Sequence, residues 1–198
     1  ATPAPDDAVA ALAALRRGEV IAVATDTVYG LACDPRDAAA VDRVYALKRR
    51  PAGLELTLLA HDAAQLDALV AWPPVASRLA ARFWPGPLSL VLPVGEVRLA
   101  VPRRGHTLSV RVPAHRDLLA LLERSGPLAS TSANRHGEPP ATSAAAVRSQ
   151  FGNQVPVIVD GGSPAGEAST IIDCSVTPPR VLRQGPIDRR SLSEFVQG

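Results

Sequence analysis

Apolar residues fall into short runs punctuated by Gly and Pro, and the spacing inside each run separates helix from strand. Residues 6–17 repeat Ala and Leu at helical spacing and stop at Gly18, which predicts a surface helix with a glycine stop. Residues 20–25 form a short run with β-branched members and read as a buried strand, followed by an irregular polar turn over 25–34. Asp37 is placed to cap a helix over 38–47, in which Val41, Val44, Tyr45 and Leu47 give an apolar face and Lys48 lies at the end. Further strands are expected over 54–59, 88–93, 97–101, 107–112, 128–131, 155–159, 169–173 and 180–182. Helices are expected over 62–70, 115–123 and 143–151, with a last one capped by Asp188 and running to Val196. Trp84-Pro85-Gly86-Pro87 is a stiff turn into the strand at 88, and the Gly- and Pro-rich stretch 135–142 reads as a loop able to act as a lid. Strands and helices mix without a strict βαβ rhythm. The expected fold is therefore α/β, a twisted sheet of mixed direction with flanking helices, and not a Rossmann domain.

Composition narrows the class. A chain of 198 residues with 46% apolar content is long enough for one core, and no repeat or linker divides it, so residues 1–198 are expected to form a single domain. No apolar run approaches the roughly 20 residues that span a bilayer. The start carries Asp6 and Asp7 where a secretion signal would be basic, so a soluble cytoplasmic protein with no membrane partner is expected. Two cysteines, Cys33 and Cys174, are too few for a disulfide framework or a zinc site and read as reduced thiols. A net charge of +2 gives no bulk argument for nucleic-acid binding. Local clusters at Arg103-Arg104 and Arg189-Arg190 read as solvated charges.

Candidate chemistry comes from scarce residues. Lys48 is the only lysine among 21 basic side chains, in a chain that otherwise uses arginine throughout. A compact ammonium fits an oxygen cluster that the planar guanidinium fork does not. Asn134, one of two asparagines, ends the polar run Ser130-Thr131-Ser132-Ala133-Asn134, and Tyr29, one of two tyrosines, sits in Thr25-Asp26-Thr27-Val28-Tyr29-Gly30. Both follow predicted strands, where open α/β sheets bind ligands. Walker A, GxGxxG, GxSxG and HExxH patterns are all missing. Lys48 and Arg50, the hydroxyls and amide of 130–134, Arg111 and Arg183 form instead a set of cations and neutral donors. Such a set suits nucleotidyl transfer, where catalysis is mostly positioning and charge stabilisation, with magnesium arriving on the nucleotide. The same residues admit structural roles: Ser130 and Ser132 satisfying a turn, Arg111 pairing an acid, Arg183 holding a loop, Tyr29 in the core, Asp26 capping or ligating.

Thr25-Asp26-Thr27-Val28-Tyr29-Gly30-Leu31, Lys48-x-Arg50-Pro51, Pro85-Gly86-Pro87-Leu88-Ser89, Val110-Arg111-Val112-Pro113, Ser130 to Asn134, Ser169-Thr170-Ile171-Ile172-Asp173 and Arg183-Gln184-Gly185 together resemble the YrdC-like domain of threonylcarbamoyl-AMP synthases. The resemblance runs over nearly the whole chain. It implies a twisted α/β domain with a large basic cavity. It also implies a reaction of ATP, L-threonine and bicarbonate that feeds tRNA modification, beside other proteins of that pathway. By the same resemblance Lys48, Arg50, Thr107, Ser132, Asn134 and Arg183 would hold ATP, with Lys48 and Arg50 serving catalysis. Thr27, Tyr29, Arg111, Ser130, Ser169 and Thr170 would hold threonine. One position departs: Leu59 stands where relatives carry a histidine that contacts threonine. Strand alternation puts His61 on the same face, so a shifted loop would bring it to the pocket. Two further outcomes follow from the resemblance, a tRNA- or double-stranded-RNA-binding paralogue and carbamoyl-adenylate chemistry on another small acceptor.

Overall fold

The computed structural model describes residues 5–49, 55–96, 98–102, 106–162 and 166–196. Its strands are β1 (Ile21–Val23), β2 (Gly30–Cys33), β3 (Thr57–Leu59), β4 (Leu88–Pro93), β5 (Thr107–Arg111), β6 (Leu128–Ser132), β7 (Ile158–Val159), β8 (Thr170–Asp173) and β9 (Arg180–Arg183). The helices are α1 (Pro5–Arg16), α2 (Ala38–Lys48), α3 (Pro74–Phe83), α4 (Arg116–Ser125), α5 (Ala144–Phe151) and α6 (Arg189–Leu192). The nine strands among the described residues join one sheet in the order β7-β1-β2-β6-β3-β5-β4-β8-β9. The pairs β1–β7, β3–β5 and β4–β8 are parallel and the other five antiparallel, which is the mixed α/β sheet expected.

Alternation along the strands positions the site. One face of the sheet is mostly apolar: Ala22, Leu31, Leu58, Leu90, Val110, Ala129 and Ile172 all belong to one core cluster. Val41, Val44 and Tyr45 of α2, Leu79 of α3 and Val147 of α5 pack into that same cluster. The opposite face divides. At its β1–β2 end Ile21, Val23 and Ala32 join Leu59 and Leu128 under Leu12 and Leu15 of α1 and Leu118, Leu121 and Leu122 of α4. Further along, the residues on this face turn polar, and the strands line a cavity instead of a core. The change happens within single strands: β6 runs from Leu128 in the core to Ser130 and Ser132 in the cavity wall.

Helix ends follow their local chemistry. Asp37 caps α2 by accepting from the Ala39 and Ala40 amides, Ser143 caps α5 through Ala146, and Asp188 caps α6 through Ser191. Four expectations are corrected. The turn over 25–34 contains strand β2, which is short and lacks β-branched residues but is held between β1 and β6. The helix expected over 62–70 shrinks to a 3-10 turn, Ala64–Leu66, because the backbone at 69–71 is drawn to β4: Ala71 N–H donates to Pro93 O and Gly95 N–H to Leu69 O. Residues 98–102 form no strand; the Ala100 amide donates to Pro35 O instead. The final helix stops at Leu192.

Candidate functional site

The cavity on the polar face has a volume of about 420 Å³. Its centre is Arg111, the last residue of β5, which is only 5% exposed. Strand alternation forces the side chain onto the cavity face together with Ser109. Its guanidinium is clamped on three sides: Nε donates to Gly86 O (3.0 Å), Nη1 to Thr27 Oγ1 (2.9 Å) and Nη2 to Asp26 Oδ1 (2.5 Å). Burial pulls the Arg111 pKa down, Asp26 pulls it back up, and the charge of nearby Arg183 lowers it further. Thr25 fixes the loop that supplies these partners, accepting from the Thr27 amide (3.0 Å) and donating to Val28 O (2.6 Å).

Arg183, at the end of edge strand β9, reaches back over the cavity, with Nε on Ser169 O (2.9 Å) and Nη2 on Ser169 Oγ (3.2 Å). Ser169 Oγ is itself 2.9 Å from Ser89 Oγ. Among the described residues Arg183 has no carboxylate within ion-pair distance, and partial burial lowers its pKa. Tyr29 is buried, and its hydroxyl donates to Asp160 Oδ1; burial first and then Asp160 hold the phenol well above its ordinary pKa. The floor is a row of hydroxyls, Ser89, Ser109, Ser130 and Thr57, with Thr57 Oγ1 3.0 Å from Ser109 Oγ.

Of the residues expected to hold threonine, Thr27, Tyr29, Arg111, Ser130 and Ser169 come together in this cavity. Thr170 does not: alternation turns it to the other side, where its fully buried hydroxyl accepts from the Gly185 (3.1 Å) and Ile187 (3.3 Å) amides. Of those expected to hold ATP, Ser132 and Arg183 line the cavity, and Thr107 opens β5 outside the lining. Arg50 lies outside the described residues. Lys48 is 3% exposed and faces the end of β6, where its ammonium donates to Ser132 O (2.6 Å), Asn134 O (3.0 Å) and Asn134 Oδ1 (3.2 Å). Asn134 in turn donates from Nδ2 to Glu138 O (2.8 Å), and His136 N–H donates to Lys48 O (2.8 Å), so this cluster braces the start of the 135–142 loop.

Leu59 lines the cavity, but His61 does not join it. β3 ends at Leu59, so alternation no longer applies beyond it, and the His61 ring lies with Nδ1 3.0 Å from Leu119 O. The floor hydroxyls Thr57, Ser89 and Ser109 and the counter-charges Asp160 and Asp26 are the parts that motif reading leaves out or leaves open. Their signal is Ser or Thr at alternate positions of otherwise apolar strands, as in Thr57-x-Leu59, Ser89-x-Val91 and Ser109-x-Arg111.

The Sua5/YciO/YrdC family model, described as telomere recombination, matches residues 13–185. The chain belongs to this family. A Pyrococcus abyssi threonylcarbamoyl-AMP synthase is 41% identical over 186 residues, which is 92% of this chain and 55% of that protein. The crystal structure of P. abyssi Sua5 complexed with L-threonine aligns with a TM-score of 0.88 and 39% identity over 96% of this chain and 57% of that one. The crystal structure of E. coli YciO aligns with a TM-score of 0.83 and 30% identity over 96% of this chain and 92% of that one. The chain thus spans little more than half of the Pyrococcus relative but nearly all of the E. coli one. In this Sua5/YciO/YrdC domain, two arginines from different strands meet over a hydroxyl floor, an arrangement able to grip a carboxylate or phosphate and to steady charge that develops between them.

Proposed function

We propose that this cavity makes threonylcarbamoyl-AMP and pyrophosphate from L-threonine, bicarbonate and ATP. The observation that carries the proposal is the meeting of Arg111, anchored by Asp26 and Thr27, with Arg183, anchored by Ser169, across one cavity. The naming of the Pyrococcus relative and its complex with L-threonine support the choice of substrate. Arg111 takes the threonine carboxylate, with Thr27, Ser130 and Ser169 around the amino acid and Tyr29 closing one wall. The threonine amine and bicarbonate combine to a carbamate with loss of water. A carbamate oxygen then attacks the α-phosphorus, the bond from that phosphorus to the bridging oxygen breaks, and pyrophosphate leaves with its electron pair.

Arg183, which unlike Arg111 has no carboxylate within ion-pair distance among the described residues, faces the developing phosphate charge. Ser132 and Asn134 address the nucleotide, and Lys48 sets their position. Arg50 and Thr107 complete the nucleotide side of the proposal, and magnesium enters as part of the ATP substrate. We further propose that the chain acts as one domain in the cytoplasm, handing its product to tRNA-modifying partners. Pyrophosphate release should require ATP, bicarbonate and threonine together. Release with a different amino acid would reassign the acceptor, and RNA retention that weakens steeply with salt, without turnover, would replace the enzyme by a binding module.

A further inference from the structure

The two tryptophans of the chain, Trp72 and Trp84, lie together in a separate pocket of about 510 Å³. Their rings meet edge to face, with centroids 6.0 Å apart and an interplanar angle of 78°. Two planes at that angle form an open corner. Each indole N–H is fixed, Trp84 on Leu88 O (2.7 Å) and Trp72 on Asp67 Oδ1 (3.1 Å), so the corner is held in place. Pro85 and Val112 add apolar wall, and Asp62 and Asp67 stand at the exposed rim.

Charge makes the corner selective. Each carboxylate uses one oxygen internally, Asp67 for Trp72 and Asp62 for the Gln65 amide (3.0 Å). Among the described residues neither forms an ion pair, and no lysine or arginine lines the pocket, although the chain as a whole is basic. Indole faces beside unpaired carboxylates match a flat cation on an apolar stem: the guanidinium stacks on the ring and its fork meets the acid. We propose that this pocket is a second binding site, for a guanidinium carried on an aliphatic stem as an arginine side chain presents it. It shares no lining residue with the substrate cavity and does not depend on the reaction proposed for that cavity.

Because both tryptophans line the pocket, intrinsic fluorescence reports on it directly. N-acetylarginine methylamide and a Gly-Arg-Gly peptide are titrated against the whole chain, with the citrulline counterparts as neutral isosteres. We expect a saturable fluorescence change with the arginine probes and none with citrulline at equal concentration. Tighter binding of the peptide than of the amide identifies a polypeptide source, and equal binding a free guanidinium compound. The paired substitution Asp62→Asn and Asp67→Asn keeps both acceptor oxygens for the Gln65 and Trp72 N–H groups while removing the charge. It should weaken the arginine probes by about tenfold with an unchanged circular dichroism spectrum. Equal response to citrulline, undiminished affinity in the Asn variant, or no saturable response to either arginine probe overturns the proposal.

Discussion

A buried ammonium needs an acceptor for each N–H it keeps, and Lys48 finds them in the main chain and amide at the end of β6. The lone lysine in an arginine-rich chain is therefore legible as a marked position, but the motif alone does not say which oxygens it serves. Removing the ammonium while keeping the stem, Lys48→Met, leaves buried carbonyls without a donor and should lower unfolding stability by about 1–3 kcal/mol. Lys48→Arg should fail for a different reason, since a guanidinium overfills a site that is 3% exposed. Denaturant unfolding of both variants decides; wild-type midpoints would show that the ammonium braces nothing. Leu59 is the complementary case, an apolar side chain in a wall of hydroxyls. Leu59→His should tighten threonine binding by about 0.5–1.5 kcal/mol, the worth of one neutral hydrogen bond, while His61→Ala, whose ring faces Leu119 O, should leave it unchanged. Calorimetric titration with threonine separates the two, and loss of threonine binding in His61→Ala would mean that the loop after β3 reaches the cavity after all.

At the scale of elements, polar and apolar alternation made β4 and β5 readable and a β-branched apolar run made β1 readable, while β2 offered neither signal. β4 and β5 carry Leu-Ser-Leu-Val-Leu and Thr-Leu-Ser-Val-Arg, where one face must be core and the other something wetter. β2, Gly-Leu-Ala-Cys, gives no such signal, and its strand character comes from pairing on both sides with β1 and β6. Tertiary hydrogen bonds override local propensity there, as they do where β4 unwinds the helix expected at 62–70. The glycine at the head of β2 is part of the site. Gly30 pairs with Ser132, and a Cβ placed on it would lie 2.6 Å from Ser130 Oγ and 3.4 Å from Thr131 O. The first obstacle is a hydroxyl that can rotate, so Gly30→Ala should fold with a stability loss of about 1–3 kcal/mol. Its larger effect should be on the cavity, where displacement of Ser130 weakens threonine binding by about tenfold. Isothermal titration beside a melting curve tests the split. A variant that binds threonine normally would remove Ser130 from the amino-acid pocket.

Over the whole molecule the apolar face of the sheet is one continuous core, and the two cysteines sample its two halves. Cys33 ends β2, Cys174 follows β8, and four strands lie between β2 and β8 in the sheet, yet both thiols belong to the same buried cluster. The sequence marked them only as too few for disulfides or zinc; their depth depends on strand order, which no local pattern encodes. Burial, reinforced by neighbouring aspartates, pushes both thiols up to about 12. A folded pKa above the unfolded value near 9.0 means that the native state holds these protons more tightly, so stability should fall as pH rises from about 9 towards 12. Below that window the folded protein presents almost no thiolate, and a thiol reagent at pH 8 must wait for the sheet to open. If residues on both sides of the sheet open as one unit, Cys33→Ala and Cys174→Ala, each with one remaining thiol, should label with the same opening free energy across a denaturant series. That free energy should match global unfolding. Labelling of Cys174 at denaturant concentrations that leave Cys33 protected would instead make the β8–β9 edge, which carries Arg183 and follows Ser169, a separately opening element, and the cavity would then lose Arg183 before the rest of the fold gives way.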